Sequence, residues 1–147
     1  MQFELDAYVI GDRTLEQMFE TLIHIRDNNL IPGCHFTKYK NEVGRYKCSS
    51  DVPTMLSLFV KKPICTVETI GENENVLWHI TRSEEGSPNL EVVTSYMKHK
   101  KDVVVKVNVK STMGLPYLVQ WGFKKYFADK AYALRVLEEE HSLHSSS

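Results

Sequence analysis

One segment constrains the fold of this 147-residue chain more than any other, the stretch from Asp102 to Lys110. Valine occupies positions 103, 105, 107 and 109, while lysine or asparagine occupies positions 106, 108 and 110. Because side chains of a β-strand alternate between its two faces, this period of two predicts a strand with one buried and one polar face. We therefore expect a sheet whose valine face is covered by helices.

A second clear pattern lies near the start of the chain. Phe3 to Ile10 is aromatic and β-branched and predicts a short strand. After it, Thr14 and Gln17 have the spacing of a helical capping box, and Asn28 supplies an end signal. Between them, apolar residues recur at helical spacing, at Leu15, Met18, Phe19, Leu22 and Ile25.

The remaining chain predicts three hairpins, each followed by a helix. The hairpin strands are His35 to Lys40 with Arg45 to Cys48, Ile64 to Ile70 with Val76 to Arg82, and Asp102 to Lys110 with Leu115 to Phe123. The helices begin near Asp51, near Ser87 with Leu90, Val93 and Met97 on one side, and at Asp129, the last running through Glu140. The recurrence could reflect stacked ββα units, but an ordinary α+β meander is the simpler interpretation.

This order predicts an α+β fold with a mostly antiparallel sheet built from successive β-hairpins and about four helices packed on it. We expect residues 1–140 to form a single domain and residues 141–147 a frayed C-terminal tail. The acidic run from Glu138 to Glu140 is interpreted as a solvated helix end.

Composition narrows the classes of protein further. The chain has a net charge of -1 and three cysteines without a paired or Cys-x-x-Cys pattern, which favours a reducing, cytoplasmic setting and buried thiols. The sequence has no apolar run of the length that a spanning helix needs and no export signal, so we expect no membrane association. No cofactor and no metal site are implied, and the oligomeric state stays open.

The first functional signal is a basic and aromatic hairpin. Lysine and arginine could neutralise phosphates there, and tyrosine rings could stack on bases. The candidate nucleic-acid-binding residues are Lys38, Tyr39, Lys40, Arg45, Tyr46 and Lys47, with Lys106 and Lys110 extending the track. The alternative is that the lysines protect an exposed sheet edge while Tyr39 and Tyr46 cap the core.

The second signal is a pair of His-x-Thr triplets on predicted strands, His35 with Thr37 and His79 with Thr81. Alternation places both side chains of a triplet on one face. This pattern resembles that of the two-histidine phosphoesterases. The resemblance implies that one imidazole accepts a proton, the other protonates the leaving oxygen, and the threonines bind the phosphoryl oxygens. The alternative is a packed His79 and a turn residue at His35.

These signals rank three functions. A non-catalytic binding or regulatory domain with a macromolecular partner comes first, and nucleic acid is the favoured partner. A protein–protein interaction or inhibitor module is the second, using either an exposed strand edge or the acidic face of the first helix, with Glu16, Glu20 and Asp27. The phosphoesterase is the third, so the chain is more readily interpreted as a binding protein than as an enzyme.

Overall fold

The fold is given by a computed structural model that describes residues 1–38, 44–50, 64–72, 76–83, 90–112 and 114–141. In these ranges the elements are β1 (Gln2–Glu4), β2 (Tyr8–Ile10), α1 (Leu15–Asp27), β3 (Cys34–Lys38), β4 (Arg45–Ser50), β5 (Ile64–Glu72), β6 (Val76–Ser83), β7 (Leu90–His99), β8 (Asp102–Ser111) and α2 (Tyr117–His141). The predicted α+β class with an antiparallel sheet is confirmed.

All described strands belong to one antiparallel sheet, in the order β1-β8-β7-β6-β5-β4-β3. The strand β2 also pairs with β8, so both initial strands lie on the same neighbour. The predicted first strand is thus divided into two short ones. From β3 to β8, strands that follow one another along the chain are also neighbours in the sheet, which is the arrangement expected of successive hairpins.

The valine strand is confirmed as β8, and its valine face lies in the core. Val103, Val105 and Val109 have no exposed surface, and Val107 is also buried. On one side β8 pairs along its whole length with β7, and on the other side it pairs with β1 and β2. The face of the sheet that carries these valines is the inner face, and both helices contribute side chains to it.

The helix α1 is confirmed with the predicted capping box at Thr14 and with Asn28 as its C-cap. Its inward residues Met18, Leu22 and Ile25 are at most 1% exposed. Met18 and Leu22 join one core cluster with residues of β2, β6, β7 and β8, whereas Ile25 joins a second with residues of β3 and β4. Leu134 of α2 packs against both clusters.

The helix predicted from Ser87 is wrong, because the segment from Leu90 to His99 is the strand β7. Leu90, Val93 and Met97 do have helical spacing, but the β-branched run 92–94 favours a strand. The buried residues of β7 are Thr94 and Tyr96, which follow the period of two. A two-residue turn then joins β7 to β8, with Lys100 at a positive φ of 55°.

The strand predicted from Leu115 to Phe123 is also wrong, because α2 already begins at Tyr117 rather than near Asp129. Aromatic and β-branched residues gave this segment a strand-like composition. Pro116 nevertheless opens a helix, as the backbone N–H of Gln120 donates to its carbonyl at 3.0 Å. The hairpin partner of β8 is therefore β7. The predicted helix from Asp51 lies outside the described residues, and the described ranges contain two helices instead of about four.

The capping box gives a direct test of how α1 is held. The backbone N–H of Gln17 donates to the Thr14 hydroxyl at 3.1 Å, and the Thr14 N–H donates to the Gln17 side chain at 2.9 Å. We expect Thr14→Ala to lower the free energy of unfolding by about 1 kcal/mol. Thr14→Ser keeps a hydroxyl at the same position and should retain most of the stability. Urea unfolding measures both, and equal stability of the alanine variant and the wild type would contradict the prediction.

Candidate functional site

A cluster of polar side chains is enclosed between the sheet and the two helices. Arg26 is 4% exposed, and Tyr96 and Glu138 have no exposed surface. Tyr8 lies at the edge of this group and is half-buried. The four residues come from four elements, β2, α1, β7 and α2, so the tertiary fold alone brings them together.

The contacts within the cluster leave several polar atoms without partners. The Tyr8 hydroxyl donates to Oε1 of Glu138 at 2.5 Å. The Tyr96 hydroxyl lies beside the Glu138 carboxyl but completes no hydrogen bond of ordinary geometry. Among the described residues, no partner is found for Oε2 of Glu138, the hydroxyl of Tyr96, or Nε and Nη1 of Arg26.

Helical spacing explains how the two charged residues reach the interior. Arg26 follows Leu22 by four positions on the buried face of α1, and its guanidinium lies 5.1 Å from the ring centroid of Phe36. Glu138 follows Leu134 by four positions and shares its face of α2. Each charge is therefore carried inward by a helix face that is mainly apolar.

Burial shifts the ionisation of the whole cluster. It raises the pKa of Glu138 to about 7, although the hydrogen bond from Tyr8, the nearby Tyr96 hydroxyl and the charge of Arg26 oppose that rise. Burial also lowers the pKa of Arg26 and raises the pKa values of Tyr8 and Tyr96. Near neutral pH the phenols keep their protons, and the Glu138 carboxyl is divided between its two forms. The charge of Arg26 is then only partly compensated.

Such a cluster suits a bound molecule with oxygen atoms. A buried polar group without a partner costs about 1–3 kcal/mol, and native proteins leave few of them. Donors on Arg26 and Tyr96 and the second oxygen of Glu138 are all available to a guest. Small-molecule sites typically combine apolar walls with a few convergent polar groups of this kind.

The structure does not bring the two His-x-Thr triplets together. His35 and Thr37 are exposed on β3, whereas His79 and Thr81 belong to β6 and pair with Thr94 and Val92 of β7. Two strands, β4 and β5, separate the triplets, which corresponds to roughly 14 Å at ordinary strand spacing. The geometry therefore provides no common phosphoryl site.

The predicted nucleic-acid residues are distributed over both faces of the sheet. Tyr46 is 2% exposed, and its hydroxyl donates to Asp27 at 2.7 Å, so its ring cannot stack on a base. Lys38 faces α1 and forms an ion pair with Asp27 at 3.7 Å. Arg45 is half-buried on β4, and Tyr39 and Lys40 lie outside the described residues.

The other predicted lysines lie on the outer face of the sheet. Lys47, Lys106 and Lys110 are exposed there, on β4 and β8. Three strands separate Lys47 from the strand of the other two, which corresponds to roughly 19 Å between them. Glu91 pairs directly with Lys110 in the register. These lysines form a dispersed set interrupted by an acid.

The sequence analysis did not identify the residues of the buried cluster as candidate site residues. The interpretation of Glu138 as part of a solvated helix end is wrong, since its side chain is fully buried. The signal that could have found it is the four-residue spacing from Leu134, and Arg26 carries the same signal relative to Leu22. Tyr96 has the period-two spacing from Thr94 that an inner-face residue requires.

Other kinds of site find no support in the described part of the chain. Within it, no group of three or more His, Cys, Asp or Glu side chains is arranged to hold a metal ion. Neither of the described helices combines the length and the apolar character needed to cross a membrane. Cys34 and Cys48 are free thiols, and a hydrogen bond between them together with burial raises the pKa of Cys34.

The buried carboxyl predicts a distinctive pH dependence of stability. With a folded pKa of about 7 against an ordinary 4.5, the native state binds more protons than the unfolded state between these values. Stability should therefore fall as pH rises through this window, by roughly 3 kcal/mol in total. Glu138→Gln should remove that fall, and Glu140→Gln, at an exposed position of the same helix, should retain it. Urea unfolding from pH 4.5 to 8 tests this, and identical profiles for both variants would contradict it.

Comparison with solved structures places this architecture among known folds. No protein-family model and no curated protein matches the chain. TTHA0849 from Thermus thermophilus superposes with a TM-score of 0.66 at 13% identity over 100% of both chains. The Zhui aromatase/cyclase from Streptomyces sp. R1128 superposes with a TM-score of 0.67 at 7% identity, over 100% of this chain and 97% of that one.

A third similar structure is a two-domain protein, the di-domain ARO/CYC StfQ from the steffimycin biosynthetic pathway. It gives a TM-score of 0.66 at 7% identity, and the match covers 99% of this chain and 51% of StfQ. At such low identities the similarity concerns the fold alone. By that measure the chain has the architecture of the helix-grip, Bet v1-like folds, an antiparallel sheet with two helices.

Proposed function

We propose that this protein binds a small, largely apolar molecule between the inner face of the sheet and α2, with a polar group of that molecule held by Arg26, Tyr96 and Glu138. The observation that carries the proposal is the set of buried polar atoms without partners in this cluster. A guest with oxygen atoms would complete their hydrogen bonds.

The apolar side chains that both helices place against the sheet support the proposed location. The inward residues Met18 and Ile25 of α1 have no exposed surface. On α2, Phe127, Leu134 and Leu137 pack on core clusters but are only partly buried. Around Glu138, the face of α2 that meets the sheet is thus lined mainly by apolar side chains. This combination suits a hydrophobic guest.

The fold similarity supports the same class of ligand. Two of the similar structures are an aromatase/cyclase and an ARO/CYC from a biosynthetic pathway, so proteins of this fold serve small-molecule chemistry. The nucleic-acid function stays a prediction with less support, because Tyr46 is buried and the outer lysines are dispersed. The protein-partner function likewise stays a prediction.

A neutral fluorescent probe tests the proposed function. N-phenyl-1-naphthylamine is apolar and fluoresces strongly when it leaves water, so we expect a saturable rise in its fluorescence with the wild-type protein. Leu134→Trp should weaken binding by about tenfold or more, because a larger ring at the junction of both core clusters fills the proposed space. Tyr132→Ala alters a residue of the same helix that is 67% exposed and should leave binding unchanged.

Two results would contradict the proposal. The first is the absence of saturable binding to the wild-type protein. The second is equal affinity of the wild type and Leu134→Trp, which would place the probe elsewhere. Circular dichroism and thermal unfolding of each variant establish that a loss of binding is not a loss of fold.

A further inference from the structure

We propose that the molecule held in this site carries a carboxylate, which accepts hydrogen bonds from Arg26 and Tyr96, and that its binding is coupled to protonation of Glu138. This inference rests on the proposed function and adds to it the chemical class of the ligand and a proton linkage. It is carried by the geometry of the cluster, as the following observations show.

The unpaired atoms of the cluster are mainly donors. Two of them belong to the Arg26 guanidinium and a third is the Tyr96 hydroxyl, and all three are buried without partners in the described structure. A guanidinium matches carboxylate oxygens in charge and geometry better than it matches a neutral acceptor. Hydrogen bonds to charged groups are also the stronger ones. The cluster therefore favours an anion over an alcohol or a ketone.

No described carboxylate forms an ion pair with Arg26, although Glu138 lies close enough to influence it. Glu138 instead accepts the hydroxyl of Tyr8 through one oxygen and leaves the other unpaired. An unpaired charge in the interior is costly, because removal from water is compensated only by a close partner. A ligand carboxylate at the Arg26 donors would supply that partner.

A ligand carboxylate beside Glu138 would account for the proposed protonation of Glu138 on binding. The groups that influence Glu138 are Tyr8 from β2, Tyr96 from β7, Arg26 from α1 and Glu139 on its own helix. Arg26 is the cation among these groups, and Arg135, which lies over the Tyr8 ring, is paired with Glu139. An ionised Glu138 and a ligand carboxylate would therefore share the charge of Arg26. Protonation of Glu138 removes that repulsion and adds a donor to the site. The bound cluster then holds one cation, Arg26, and one anion, the ligand carboxylate.

Displacement of N-phenyl-1-naphthylamine by decanoate, 1-decanol and decylamine measures how the headgroup affects affinity, since all three have ten carbons in an unbranched chain. At pH 7 we expect decanoate to displace the probe at about tenfold lower concentration than decanol, and decylamine to be the weakest. Arg26→Met should abolish the advantage of decanoate and leave decanol unchanged. Lys124→Met removes one exposed positive charge from α2 and should preserve the advantage.

Isothermal titration calorimetry with decanoate, in two buffers of different ionisation enthalpy, measures the number of protons taken up per ligand bound. With a Glu138 pKa of about 7, we expect the wild type to take up about half a proton per decanoate at pH 7. Glu138→Gln should bind decanoate with no buffer dependence. Decanol should show no proton exchange with either protein.

The outcomes separate this inference from the proposed function. If the probe does not bind, the proposed function fails. If it binds and decanoate is no better than decanol, the carboxylate inference is overturned while the proposed function stands. Equal proton uptake by the wild type and Glu138→Gln overturns the proton coupling. The wild-type ligand series decides the headgroup question even if Arg26→Met does not fold, and Arg26→Lys, which keeps the charge, should then retain part of the preference.

Discussion

The rest of the structure depends on the burial of the valine face of β8. This strand has partners on both sides, with β7 along one edge and β1 and β2 along the other. Its fully buried valines have to be covered, and burial of side chains of this size contributes about 1.5–3 kcal/mol each. The helix α1 meets that requirement with Met18 and Leu22, which fixes the side of the sheet on which both helices lie. The polar cluster lies in the interior that forms between the sheet and the helices on this side.

Periodicity in the sequence was sufficient to predict part of this fold. The strand β8, the hairpins β3-β4 and β5-β6, and the cap of α1 each have a local signal that agrees with the structure. The errors at β7 and α2 arose where two signals compete. In β7, helical spacing at Leu90 and Val93 competes with β-branching, and sheet pairing on both sides decides for the strand. In α2, strand-like composition competes with Pro116, and the helix prevails.

The candidate site could not be predicted in the same way, because no two of its members are neighbours in sequence. Arg26, Tyr96 and Glu138 each look like ordinary helix or strand residues in their local context. Only their burial distinguishes them, and burial is decided by the way α1 and α2 pack on the sheet. A polar cluster in a low-dielectric interior reduces stability unless something completes its hydrogen bonds. Departures from local rules of this kind are expected where a protein has a function to perform.

The position of β8 also has a consequence for the way the chain acquires its structure. Phe3 pairs with Val109 and Tyr8 with Val105, so β1 and β2 can pair only after a strand about a hundred residues later has been synthesised. Until then, their apolar side chains and unpaired edges are open to other chains and to chaperones. Because contacts between distant residues slow folding, we expect a comparatively slow folding reaction. The N-terminal strands would be completed only after the β7-β8 hairpin has formed.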